Sequence, residues 1–196
     1  IHPLGMARAP LAGIALESVD GGVMKNLTIS NVSMTGLKSP LLIRLGKRLR
    51  GGIPDKPGQI SDVLINNISA TNCHFPIVMA GLKEEKAKRI SLSNLHFEFD
   101  YTLSGNFEEG ELTRDNKGRP PGVTNVMKIP EREVNYPDIR MFGDPLPAWA
   151  MFGRHLSHVH FSNVHCYLET EDKRPAEMFI DCNNVNMSGL HFHAKK

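Results

Sequence analysis

One ten-residue pattern occurs five times in this chain, and it restricts the possible folds more than any other feature. It reads KNLTISNVSM at 25–34, SDVLINNISA at 61–70, KRISLSNLHF at 88–97, SHVHFSNVHC at 157–166 and NNVNMSGLHF at 183–192. Aligned on Asn31, Asn67, Asn94, Asn163 and Gly189, each copy carries apolar residues four and two places before that position, then one and three places after it. Period-2 alternation predicts strands. The one-place slip requires a bend that turns the chain and keeps the apolar side inward. The bend residue needs a left-handed or similarly restricted backbone, which Asn tolerates better than most residues and Gly tolerates freely. Gly189 standing where the other copies have Asn supports this reading.

A second kind of apolar segment alternates with the first: GIALESV (13–19), PLLIRLG (40–46), PIVMAGL (76–82), PAWAMFG (147–153) and PAEMFID (175–181). Four of the five open with Pro, which suits the first residue of a strand after a turn. The aligned positions are 36, 27, 69 and 26 residues apart. A basic period near 26 residues, lengthened by inserts, predicts a solenoid whose coils each contain three short strands. No segment sustains a helical period, and an all-β sandwich would not demand an equivalent Asn in every unit. The predicted architecture is an all-β, single-stranded parallel β-helix of about five coils, one domain over 1–196, with a long loop insertion at 100–147. Stacked coils bring equivalent residues to about 4.8 Å, close enough for the corner asparagines to bond into a ladder. Two places after the corner, Ser33, Ser69, His96, His165 and His191 form a further outward column.

Composition excludes several classes of protein. Formal net charge is +2 with both signs scattered, so no basic stripe for a nucleic acid is present. No apolar run reaches the roughly 18–20 residues of a membrane span, and no signal-peptide pattern opens the chain. Cys73, Cys166 and Cys182 lack a C-x-x-C spacing and read as small apolar core residues, indicating neither a disulfide framework nor a zinc site. The nine histidines, including the H-x-H of HVHF (158–161), read as outward positions of stacked coils; no metal or other cofactor is expected.

The strings GIALESVDGGVMKNLTISNVSM and SPLLIRLGKRLRGG resemble the later coils of the polygalacturonase family of glycoside hydrolases, closest to its bacterial pectin-degrading branches. ALESVDGG and IRLGKR are the most specific parts, and IPEREVNYPDIRMFGDPLPAWAMFGRHLSHVHFSNV and ETEDKRPAEMFID continue the likeness. It covers nearly the whole chain after the first ten or so residues. The resemblance implies a right-handed, pectin-lyase-like β-helix that cleaves galacturonic-acid-containing glycans (polygalacturonan or rhamnogalacturonan) by inversion. Inversion takes two carboxyl groups roughly 6.5–9.5 Å apart. The family's N-T-D, D-D and G-H-G motifs are missing here, so the catalytic aspartates are expected in coils preceding this chain, and the chain alone is not expected to hydrolyse. Gly13-Ile14-Ala15-Leu16-Glu17 takes the place of the family's G-I-R-I-K, so no carboxylate-binding role carries over to Ala15 or Glu17. An extracellular or periplasmic location is implied by the resemblance only. The alternatives are a non-catalytic glycan-binding β-helix and a structural one. A pectate lyase would need clustered carboxylates for calcium on one strand face, and none is visible.

Six residues stand out as candidate binders of an acidic polysaccharide or oligosaccharide; no residue of this chain is assigned a catalytic role. Matching GIALE with PLLIR puts Glu17 and Arg44 outward on consecutive coils, as a carboxylate-binding pair or a cross-coil ion pair. Arg48 lies with Arg50 in a Gly-rich cationic loop. Tyr136 offers a ring for stacking on a sugar or for anchoring its own loop. Arg154 and His155 leave their strand toward a cleft or a surface turn. Within 100–147, GNFEEGELTRDNKGRPPG is expected to leave the solenoid and PEREVNYPDIRMFGDPLP to pack back on it. ETEDKRP (169–175) reads as a charged turn.

Overall fold

The computed structural model describes residues 10–51, 56–101, 129–142 and 146–194. The predicted excursion within 102–128 lies outside them. The described chain is all-β, with ten strands and one 3-10 turn at Ile139–Phe142. In chain order they are β1 (Ala12–Ser18), β2 (Val23–Leu37), β3 (Ser39–Leu45), β4 (Gln59–Cys73), β5 (Ile77–Ala80), β6 (Ala87–Phe99), β7 (Met151–Arg154), β8 (Leu156–Leu168), β9 (Glu177–Ile180) and β10 (Asn183–Ala194). Odd strands form one five-stranded sheet and even strands another, each in chain order and wholly parallel. That alternation fits the coils of a solenoid.

The five aligned repeats are the even strands. Leu27 pairs with Val63, Val63 with Ile90, Ile90 with Val159 and Val159 with Val185, so the sequence alignment and the strand register coincide. The slip is a left-handed corner inside each strand: φ is 59° at Asn31, 53° at Asn67, Asn94 and Asn163, and 65° at Gly189. The ladder is formed as well. Asn67 donates to Asn31 Oδ1 at 3.1 Å, Asn94 to Asn67 at 3.2 Å and Asn163 to Asn94 at 2.8 Å. A second left-handed corner lies five residues earlier in every repeat, at Asn26, Asp62, Arg89, His158 and Asn184, with φ between 52° and 59°. Its residue types vary, so only the backbone reveals it.

Between the two sheets lies the main core, with Ile43, Leu45, Ile65, Ile90, Leu92, Met79, Phe97, Phe161 and Trp149 all buried. Cys73 and Cys166 are buried in it, and Cys182 is half-buried. The outer face of the odd sheet is covered too. Ile129, Ile139, Phe142 and Leu146 pack there on Leu42, Val78, Ala80 and Phe152. Strands buried on both faces read as continuous apolar runs, which is why PLLIRL and PIVMA show no alternation. The ETEDKRP turn is knitted down: Arg174 pairs with Asp172 and donates to the Leu146 carbonyl at 2.9 Å.

Candidate functional site

Register along the odd sheet sets one row of outward side chains: Glu17, Arg44, Ala80, Arg154 and Ile180. The sequence reading put Glu17 and Arg44 outward on consecutive coils, as a carboxylate-binding pair or an exposed ion pair; the structure corrects the exposure, because Arg44 is fully buried (0% exposed) beneath 129–142. Its Nη2 donates to the Glu131 carbonyl at 2.9 Å, and its guanidinium lies 5.3 Å from the Phe142 ring centroid. Arg154 repeats the arrangement from two strands away. It is 2% exposed, donates to the carbonyls of Ile129 (3.1 Å) and Pro130 (3.0 Å), and lies 5.4 Å from the same ring. A surface or turn role for Arg154 is therefore also corrected. The small Ala80 on the strand between them leaves room for both long side chains.

Two buried cations this close are costly, and their surroundings compensate only in part. Burial first, and then the charge of Arg154, push the Arg44 guanidinium down to about 10. Glu131 and Glu133 oppose that shift. Arg154 is lowered by burial and held up by the same two carboxylates. Arg44 Nε and Nη1 and Arg154 Nε are buried with no hydrogen-bond partner among the described residues. The Glu131 carboxylate, 3.2 Å from Arg154 Nη2, supplies countercharge to this pair.

Glu17 sits opposite Arg44 in register but forms no ion pair with it; Arg44 turns instead to the Glu131 carbonyl and Phe142. The Glu17 carboxyl is raised, first by burial and then by the charge of Asp138. His155, expected at a surface or in a cleft, is buried (4% exposed) between two carboxylates. Its Nδ1 lies 2.6 Å from Asp181 Oδ2, and its Nε2 lies 3.2 and 3.1 Å from the two Glu131 oxygens. Asp181 also receives Lys86 at 2.8 Å. Sequence reasoning missed Glu131, Phe142 and Asp181. Asp181 was accessible to it, since it follows His155 by one 26-residue period.

At the rim the cationic loop is tied down. Arg48 pairs with Asp20 and the Arg50 N–H donates to the same carboxylate at 2.8 Å, which holds Asp20 down to about 2. Lys47 pairs with Glu84 at 3.2 Å, and its N–H donates to the Glu133 carbonyl at 2.6 Å. Tyr136 is 71% exposed, with the Arg48 guanidinium 5.4 Å from its ring centroid. The structure thus brings Arg44, Arg154 and His155 together around Glu131. Arg48 and Tyr136 form a separate contact at the edge. Among the described residues, no group of three or more His, Cys, Asp or Glu is arranged to hold a metal ion, and no helix is long and apolar enough to cross a membrane. No protein-family model, curated protein or solved structure matches the chain.

Proposed function

We propose that this chain forms later coils of a right-handed parallel β-helix of the polygalacturonase-like glycoside hydrolases, acting on galacturonic-acid-containing pectic polysaccharide outside the cytoplasm. The observation that carries the reading joins sequence to geometry. The two strings most like that family, ALESVDGG and IRLGKR, run along adjacent parallel strands with Glu17 opposite Arg44. Beside them, at the rim, Arg48 and the exposed ring of Tyr136 meet, a cation and an aromatic face of the kind an acidic sugar requires. In this reading Glu17, Arg48 and Tyr136 border the acidic chain, and the buried Arg44, Arg154 and His155 hold the 129–142 segment that forms its wall. Aspartates in preceding coils perform the inverting hydrolysis. The same rim equally fits a β-helical glycan-binding protein without catalysis.

The test measures reducing-sugar release from polygalacturonate and rhamnogalacturonan, with binding in parallel, on protein that includes the coding sequence upstream of Ile1. Release by inversion, with binding weakened about tenfold or more in Arg48→Met and Tyr136→Ala variants that stay folded, is the expected result. Binding without release selects the glycan-binding reading. Neither binding nor release overturns both.

A further inference from the structure

The outer face of the even sheet carries a group of rings that the site above does not use. His96, His165 and His191 occupy one register position on β6, β8 and β10, and Glu98, Tyr167 and His193 occupy the position two residues on. The rings are packed against one another. His165 and His191 stack at 4.5 Å with an 18° interplanar angle, and Tyr167 and His193 stack at 4.6 Å and 12°. His165 and His193 lie 6.2 Å apart and nearly parallel, and His96 meets Tyr167 at 4.8 Å. On the earlier strands the same positions hold Ser33, Ser69, Thr35 and Thr71, which bond in pairs at 3.0 and 3.1 Å. The face therefore changes along its length from a hydroxyl row to an imidazole row.

We propose that this imidazole row is a proton-gated binding site for an acidic polysaccharide chain lying along the stacking direction across β6, β8 and β10. Rings stacked face to face leave their edges as the polar groups of the row; His165 Nε2 lies 3.2 Å from Asn163 Oδ1 and His96 Nε2 3.2 Å from Glu98. Four imidazoles so close repel one another once charged. The effect is visible at His165, whose pKa is lowered first by burial and then by His191, His193 and His96. The only carboxylate on these two register positions is Glu98, 3.2 Å from His96 Nε2, while Glu169 lies beyond the end of β8. Tyr167 is the other titratable group on these two register positions, and His160 stands outward on β8 before the Asn163 corner. Fully protonated, the row carries four positive charges against the one negative charge of Glu98.

A linear polyanion relieves that repulsion, so binding and proton uptake strengthen each other. The sign follows directly. Anion binding raises the imidazole pKa values, and affinity grows as pH falls through the histidine range near about 6.5. The row is straight, with a spacing of about 4.8 Å per strand, which suits a chain of repeated carboxylates better than a single small anion. The choice of a uronate polymer rests on the proposed function; the proton gate does not.

The experiment measures binding of polygalacturonate and of a neutral galactan by calorimetry near pH 5 and about pH 7.5, for wild type and for His165→Asn/His191→Asn/His193→Asn. Wild type is expected to bind polygalacturonate at least about tenfold more tightly at the lower pH. The triple variant loses that gain and keeps the wild-type thermal midpoint, and the neutral glycan shows no gain in either protein. Histidine ring-proton titrations followed by NMR should move to higher pH when oligogalacturonate is added. A gain that persists in the triple variant, no gain in wild type, or zinc uptake by wild type without acid-enhanced glycan binding overturns the proposal. On protein that includes the proposed preceding coils, acid-enhanced binding without sugar release defeats the hydrolase reading and leaves this one standing. Hydrolysis with pH-independent binding does the reverse.

Discussion

At the scale of single residues, the corner column shows how one side chain serves backbone and neighbour at once. Asn94 accepts a left-handed φ of 53°, donates to Asn67 and accepts from Asn163. A non-glycine residue in that conformation costs roughly 1–2 kcal/mol, least for Asn. Asn94→Ala should therefore lose about 2 kcal/mol in urea unfolding, and Asn94→Gly about half of that, since Gly restores the backbone but not the ladder. The rim pair gives a pH test. Asp20 titrates near about 2 in the folded chain because Arg48 and the Arg50 N–H bond its carboxylate. An unfolded Asp titrates near about 3.9. The depressed value means that this stabilisation is complete above about pH 4 and is lost as pH falls toward 2. Asp20→Asn should flatten the thermal midpoint between those limits; an unchanged slope would show that the pair contributes nothing.

At the scale of elements, the strands explain which readings of the sequence held and which failed. The even strands alternate because one face looks outward, so their register was legible from five aligned copies. The odd strands are covered on both faces, and nothing local in PLLIRLG distinguishes a solvent-facing arginine from a buried one. What buries Arg44 is 129–142, placed on it by Phe142 and by carbonyls about ninety residues away in sequence. The junction of β5 with the following turn is equally tight. A Cβ on Gly81 would run into the His155 carbonyl and come within 2.7 Å of the Ala87 nitrogen, both backbone atoms that cannot swing aside. Gly81→Ala is expected to cost about 2 kcal/mol or more, and to broaden the His155 resonances, because the backbone it displaces carries that ring.

At the scale of the whole molecule, burial varies along the stack. Inward residues of β4, β6 and β8 are buried, whereas those of β2 and β10, such as Leu27, Met34, Leu190 and Phe192, are only partly covered. A stack of parallel strands gains stability mainly between neighbours, so equivalent substitutions should differ by position. Leu92→Ala, fully buried on β6, should cost about 2–5 kcal/mol, and Leu190→Ala, partly covered on β10, less than half as much. Equal losses in denaturant unfolding would show that β10 is as firmly held as β6.

The sequence by itself determined the all-β class, the repeat, the left-handed Asn corner and its ladder, since each depends on contacts within a repeat or between copies in one register. It also named Arg44, Arg154 and His155 as residues of interest. Their surroundings were decided only by the tertiary structure. Glu131 and Phe142 come from an insert outside the repeat, and its docking over the odd sheet turns two outward arginines and His155 into a buried cluster around Glu131, Arg44 on its carbonyl and the other two on its carboxylate. The second column of left-handed corners was hidden for a related reason. Asn26, Asp62, Arg89, His158 and Asn184 share a backbone conformation but no side-chain chemistry, because the stack holds the corner and the residue type need only tolerate it.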